Sequence, residues 1–298
     1  MKVLTKLRGV ALALPAGAWL VAVFVLPIAT IVYFSFGYKP GIFGTHAEDI
    51  LSFDRYGEAL SPVFFSYFSN TLWVGVVGTV LCFIVGAPMA YWIAVKAPVR
   101  LRGVLLAMVM IPFWTNFLVR TIGIQIIISP QGVLSGVLQG VGVLDGPLEL
   151  IYTRAAVLIG VVYNYLPLMV LPLFVAFDRI GPSVREASQD LGAGRLATFF
   201  RISVPLAKPG IIAGLLLVFI PLMGDYITAT VLGGANGSMV GQLVASQFLA
   251  SQNWALGSAM AVILIFVILA AAAVGGLLIY LIGLPFRLRQ RLTIGASA

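Results

Sequence analysis

Glu186-Ala187-Ser188-Gln189-Asp190-Leu191-Gly192-Ala193, followed by Ile202-Ser203-Val204-Pro205-Leu206, is the stretch on which the reading of this chain turns. It lies in a polar segment, residues 178–208, set between long apolar runs. Ser183 and Glu186 have the spacing of a capping box, which predicts a helix beginning near Val184. Gly192 supplies the left-handed residue that ends it. A second helical stretch is expected over Arg195–Ile202, with Pro205 breaking the chain before the next apolar run and Pro209 tolerated in a first turn. Two short helices would then hold Ala187, Leu191, Leu196 and Phe200 outward. Apolar side chains rimmed by charge mark a surface for a partner; the alternative is a loop whose apolar side chains dip into lipid.

Composition sets the surroundings of that loop. Of 298 residues, 61% are hydrophobic and 9% charged, against roughly 25% charge in a soluble domain. Such a chain belongs in a bilayer. Apolar runs over Val10–Phe36, Thr71–Val95, Val104–Ile128, Ala155–Phe177, Ile211–Thr230 and Gly257–Pro285 each meet the ~20 residues that a hydrocarbon core requires. They are too long and too evenly apolar for barrel strands, so an all-α protein with six transmembrane helices is expected. The first run is longer than a cleavable signal core and reads as a retained helix. Residues 1–298 read as one transmembrane domain with its core at about 70–285 and the loop at 178–208; no tandem repeat is present.

Charge orients the helices. Of the 18 basic residues, 14 flank the spans on one side; Lys39, Arg55, Arg120 and Arg154 are on the other. This asymmetry places both termini and the Glu186 loop in the cytoplasm. The net charge of +8 therefore needs no nucleic-acid partner. Cys82 is the lone cysteine, inside an apolar run, and His46 is the lone histidine. Neither a disulfide nor a metal site is expected. No Gly-x-x-x-x-Gly-Lys-Ser/Thr run cradles a nucleotide, and no catalytic constellation is apparent.

The loop resembles the coupling loop of ABC importer permeases, whose pattern reads Glu-Ala-Ala, three residues, Gly, then Ile-x-Leu-Pro. Ser188 stands here for the second Ala and Val204 for the Leu. Ile111-Pro112-Phe113-Trp114-Thr115-Asn116, Tyr163-Asn164-Tyr165-Leu166-Pro167, Gly224-Asp225-Tyr226 and Leu232-Gly233-Gly234 are similar to signatures of the polyamine (spermidine/putrescine) permease subfamily. The resemblance covers nearly the whole chain. It implies a MetI-like type I importer fold in a bacterial inner membrane and alternating access for spermidine or putrescine. It also implies a second permease subunit, two ABC ATPase subunits that carry ATP and Mg, and an external substrate-binding protein. This chain would hold no cofactor of its own. Glu186, Ala187, Ser188, Asp190, Leu191, Gly192, Phe200 and Pro205 would meet the ATPase.

Trp114, Asn116, Tyr163, Asn164, Asp225 and Tyr226 are the candidates for the substrate path. Asp225 is the only acid within or beside the fifth span, and none lies inside the other five; a carboxylate in lipid must face water or a partner. Pro221 and Gly224 favour a broken helix before it. Tyr226, Trp114 and Tyr163 are expected as aromatic neighbours for an ammonium group. Against this, Asp225 has the alternatives of capping a helix or pairing with Arg120. Arg120 itself reads as a residue snorkelling at the outer boundary, with a gate or path role as the alternative. Other cations, aminophosphonates or anions remain as substrates for the same machine. A secondary carrier is a more distant alternative, since it would place coupling acids in midmembrane.

Overall fold

The computed structural model describes residues 13–47, 49–235 and 237–295; for residue 63 and residues 278–295 only the backbone path is described. Lys2, Lys6 and Arg8, three of the 14 basic residues that orient the chain, lie outside the described residues. So do the side chains of Arg287, Arg289 and Arg291.

The described residues form helices. In chain order they are α1 (Ala13–Phe34), α2 (Asp54–Ala59), α3 (Pro62–Tyr91), α4 (Val99–Trp114), α5 (Phe117–Ile128), α6 (Val133–Gly140), α7 (Arg154–Asp178) and α8 (Pro182–Asp190). Next come α9 (Arg195–Leu206), α10 (Lys208–Met223), α11 (Ala229–Gly233), α12 (Val240–Leu249) and α13 (Trp254–Gly295). Five stretches are long and apolar enough to cross a membrane, and a sixth arises if the bent pair α9–α10 is one span.

Two of the expected spans, and the expected break at Pro205, differ in the structure. The run 104–128 is two helices, not one. Thr115 and Asn116 are extended, and the Asn116 side chain accepts hydrogen bonds from Leu118 N at 2.9 Å and Val119 N at 3.4 Å. An Asn cap satisfies the donors that a new helix start exposes. The run 211–230 is also interrupted: α10 ends at Met223, and Gly224-Asp225-Tyr226 separates it from the next helical turn. At 16 residues, α10 rises about 24 Å, less than a ~30 Å core. Finally, Pro205 sits inside the last turn of α9, and the chain bends by 71° only at Ala207. The stretch Phe199–Ser203 ahead of it is a π-type turn, and Pro205 stands at the start of the α-turn Val204–Leu206 that follows, where a missing N–H is tolerated. Buried Ala207 is where α9 gives way to α10.

The chain divides into two compact units. In the first, Met1–Ser66 with Leu243–Phe266, the segment after α1 is tied down by polar contacts. Lys39 Nζ donates to Ser251 O at 2.6 Å and Trp254 N to Thr45 O at 3.3 Å. Ala59, Leu256 and Met260 form its small core.

The second unit, Tyr67–Gln242 with Val267–Ala298, holds the main core. Its centre is α7, where Val157, Val161, Met169, Leu173 and Phe177 are buried. Small residues let neighbouring helices approach, as is usual where no water drives association. A methyl added to Gly78 would stand 2.8 Å from Val161 and 3.1 Å from Leu222. One added to Gly210 would collide with Ala176 and the Pro172 carbonyl, so α10 lies directly on α7.

Candidate functional site

Two groups of residues in the second unit carry the candidate chemistry. The first is the helical hairpin α8–α9. Pro182 occupies the first position of α8 and Gly181 precedes it, with no side chain capping the start. The expected cap by Ser183 is therefore absent: proline already removes one orphan donor and fixes the backbone for helix. Gly192 ends α8 as expected, with φ at +86°. Its N–H reaches Gln189 O at 2.9 Å, and Ala193 N reaches Ser188 O at 3.1 Å.

Ser188 and Thr198 then join the two helices through their hydroxyls at 3.2 Å. Phe199 anchors the hairpin inward. Its ring is 4.8 Å from Tyr91 and 6.1 Å from Phe177, and those two rings are 5.4 Å apart edge to face. Sequence reasoning named Phe200 and passed over Phe199, because both lie on one polar segment and nothing local separates them. Phe200 instead turns outward and is 65% exposed, with Leu191 at 90% and Leu196 at 76%. Glu186, Ala187 and Asp190 are exposed beside them, Ser188 is half-buried, and Pro205 is exposed within α9. At the base of the hairpin, Arg102 Nη1 meets Asp178 Oδ1 at 2.6 Å.

The second group surrounds the break at Gly224–Tyr226. Asp225 is 6% exposed. One carboxylate oxygen accepts from Thr228 N at 3.0 Å, which is the geometry of a helix cap. The other oxygen is buried and has no hydrogen-bond partner. Asn164, almost wholly buried on α7, donates from its side chain to Thr121 Oγ1 at 3.0 Å and leaves its side-chain oxygen Oδ1 unpartnered. Thr228 Oγ1 is likewise buried and unpartnered. A methyl on Gly160, one turn from Asn164, would meet both Thr228 and Leu232, so the residues after the break lie against this face of α7. The aromatic residue beside the Asp225 carboxylate is Tyr165, not Tyr226, Trp114 or Tyr163.

Arg120 is not at a boundary. It is 8% exposed, its guanidinium lies 5.4 Å from the rings of Phe113 and Phe117, and Nη1 reaches Asn164 O at 3.5 Å. Its Nε is buried without a partner. Among the described residues it forms no ion pair with Asp225. Burial is explained by the break at Asn116, which starts α5 anew and turns Arg120 into the bundle. Of the path candidates, Asn164 and Asp225 thus come together. Trp114, Asn116, Tyr163 and Tyr226 face outward from this chain, with Asn116 occupied as a cap. Thr121, Tyr165 and Thr228 were missed, and Arg120 was named with a gate or path role only as its alternative. Only Thr228 had a local signal, its cap spacing from Asp225.

Residues 84–284 match the model of the binding-protein-dependent transport system inner membrane component. The chain belongs to that family. Within it, the chain is 36% identical over 264 residues to the spermidine/putrescine transport system permease protein PotB of Salmonella typhimurium, covering 89% of this chain and 91% of that protein. It is 37% identical over 246 residues to the protein of the same description from Escherichia coli K12, covering 83% and 88%. A chain in the crystal structure of a bacterial ABC transporter involved in import of the acidic polysaccharide alginate has the same fold. The TM-score is 0.76 at 15% identity, over 94% of this chain and 99% of that one. This member of the family is thus a multi-pass inner-membrane permease subunit, and its fold is that of ABC importer permeases.

Proposed function

We propose that this chain is one of two permease subunits through which spermidine or putrescine enters the cell, driven by ATP hydrolysis on separate ATPase subunits. The observation that carries the substrate class is the 36% identity over 264 residues to a spermidine/putrescine permease, with both chains covered almost end to end. An external binding protein delivers the polyamine, and both termini and the α8–α9 hairpin lie in the cytoplasm. ATP and Mg reside on the ATPases.

The hairpin is the mechanical contact. Leu191, Leu196 and Phe200 enter a cleft on the ATPase, with Glu186 and Asp190 at its rim, while Gly192 sets the angle of the two helices. Phe199, wedged against Tyr91 and Phe177, transmits the displacement to the ends of α3 and α7. Rocking of α7 against α10 about their glycine contacts alternates access.

Asp225 is the charge that the substrate meets. Its unpartnered oxygen, with those of Asn164 and Thr228, offers acceptors to a protonated amine. A buried acceptor without a donor costs about 1–3 kcal/mol, which an arriving ammonium group relieves. Trp114, Asn116, Tyr163 and Tyr226 face outward toward the second permease subunit and complete the path with it.

The buried, unpaired guanidinium of Arg120 is the specific observation favouring an anionic substrate instead. Uptake of labelled spermidine and putrescine by cells with and without the chain distinguishes them. Loss of polyamine uptake on deletion, restored by the chain, supports the proposal; unchanged polyamine uptake with loss of an anion's uptake refutes it.

A further inference from the structure

At the end of the bundle that carries the basic residues, a groove of about 610 Å³ opens between α7, the start of α8 and α10. Its walls include Leu171, Val175, Ala213 and Leu217, and it is within the range of small-molecule sites, about 300–1,000 Å³. Its floor is closed where Gly210 presses on α7. Its mouth carries one cation, Arg179, which is exposed. The adjoining acid, Asp178, is already engaged by Arg102. Arg185, the next cation along the chain, is turned onto the carbonyl of Ile180 at 2.7 Å. Among the described residues Arg179 forms no ion pair with an acid.

We propose that this groove binds an anionic phospholipid, with the phosphate on Arg179 and an acyl chain along α7 and α10. The chemistry of the groove selects this occupant. It is apolar along its length and cationic at one end, and α7 has 25 residues, about 37 Å, so its last turn reaches the headgroup level. Basic pockets between membrane helices hold acidic headgroups on this principle. The position also matters for transport. The lipid wedges between α7 and α10 where the chain enters the α8–α9 hairpin, so it stiffens the joint through which the hairpin moves the spans.

The test is native mass spectrometry of the intact importer complex released from nanodiscs holding equal phosphatidylglycerol and phosphatidylcholine. The wild type should retain phosphatidylglycerol in preference. Arg179→Gln should lower that retention about fivefold, one basic residue's contribution at an anionic surface, and Arg179→Lys should keep most of it. Ala213→Phe, which fills the groove from α10, should abolish retention of either lipid at this site. Equal retention of the two lipids by the wild type, or unchanged retention in Arg179→Gln, overturns the proposal. So does a disulfide formed in the assembled complex between a cysteine at Val175 and the second permease subunit, since the groove would then be filled by protein. Retention is read without transport, so the result leaves the polyamine assignment to its own assay.

Discussion

The two carboxylate oxygens of Asp225 have different surroundings. One caps the helical turn at Thr228 N; the other is buried and unpartnered. Asn caps a helix about as well as Asp, so Asp225→Asn keeps the break and removes the charge. A hydrogen bond to a charged group is worth about 1.5–3 kcal/mol, so polyamine uptake should fall roughly 10- to 100-fold, with the assembled complex intact. Unchanged uptake in an assembled complex rules out the substrate role. Phe199 and Phe200 make a second pair of neighbours with different work. Phe→Ala in a full core costs about 3–5 kcal/mol; half-buried Phe199 should come in at the low end and lower the melting temperature of the complex. Phe200→Ala should leave melting unchanged and cut the ATPase that copurifies. The opposite pattern would exchange their roles.

At the scale of elements, the turn between α8 and α9 is set by Gly192, whose φ of +86° excludes most side chains. A Cβ there meets nothing within 4 Å, so any effect of substitution is backbone strain, about 1–3 kcal/mol. Gly192→Val should insert normally yet lose coupled uptake, and Gly192→Asn, more tolerant of this conformation, should retain part of it. Uptake by Gly192→Val equal to the wild type contradicts a coupling role for the hairpin. The sequence was read well at Gly192, and also where Pro221 and Gly224 announced the broken helix, because glycine and proline act on the backbone locally. It was read poorly where packing decides. Hydropathy shows 104–128 as one apolar run, since the break at Thr115–Asn116 depends on a capping contact that leaves the run's hydropathy unchanged. Arg120 is read as a boundary residue by distance along that imagined helix, and the break overturns the measure. Tyr165 joins the buried group through α7 meeting the residues after the break, a contact between segments far apart in the chain that no local pattern carries.

For the whole molecule, orientation in the membrane and the cargo are tested separately. Val141 lies before α7 and is exposed, and Ala193 follows it beyond α8. A cysteine at either position, in a Cys82→Ala background, should label with a membrane-impermeant maleimide from opposite faces: Val141 from outside whole cells, Ala193 only after lysis. Labelling of both from one face overturns the orientation drawn from the basic residues. The most direct measurement is accumulation of labelled spermidine in proteoliposomes holding this chain, its partner permease and the ATPases, with the binding protein supplied on the external face. ATP-dependent, saturable accumulation that is lost in Asp225→Asn while ATPase subunits stay bound is the expected result. ATP-dependent accumulation of an anion in place of spermidine, or spermidine accumulation indifferent to ATP, would contradict it.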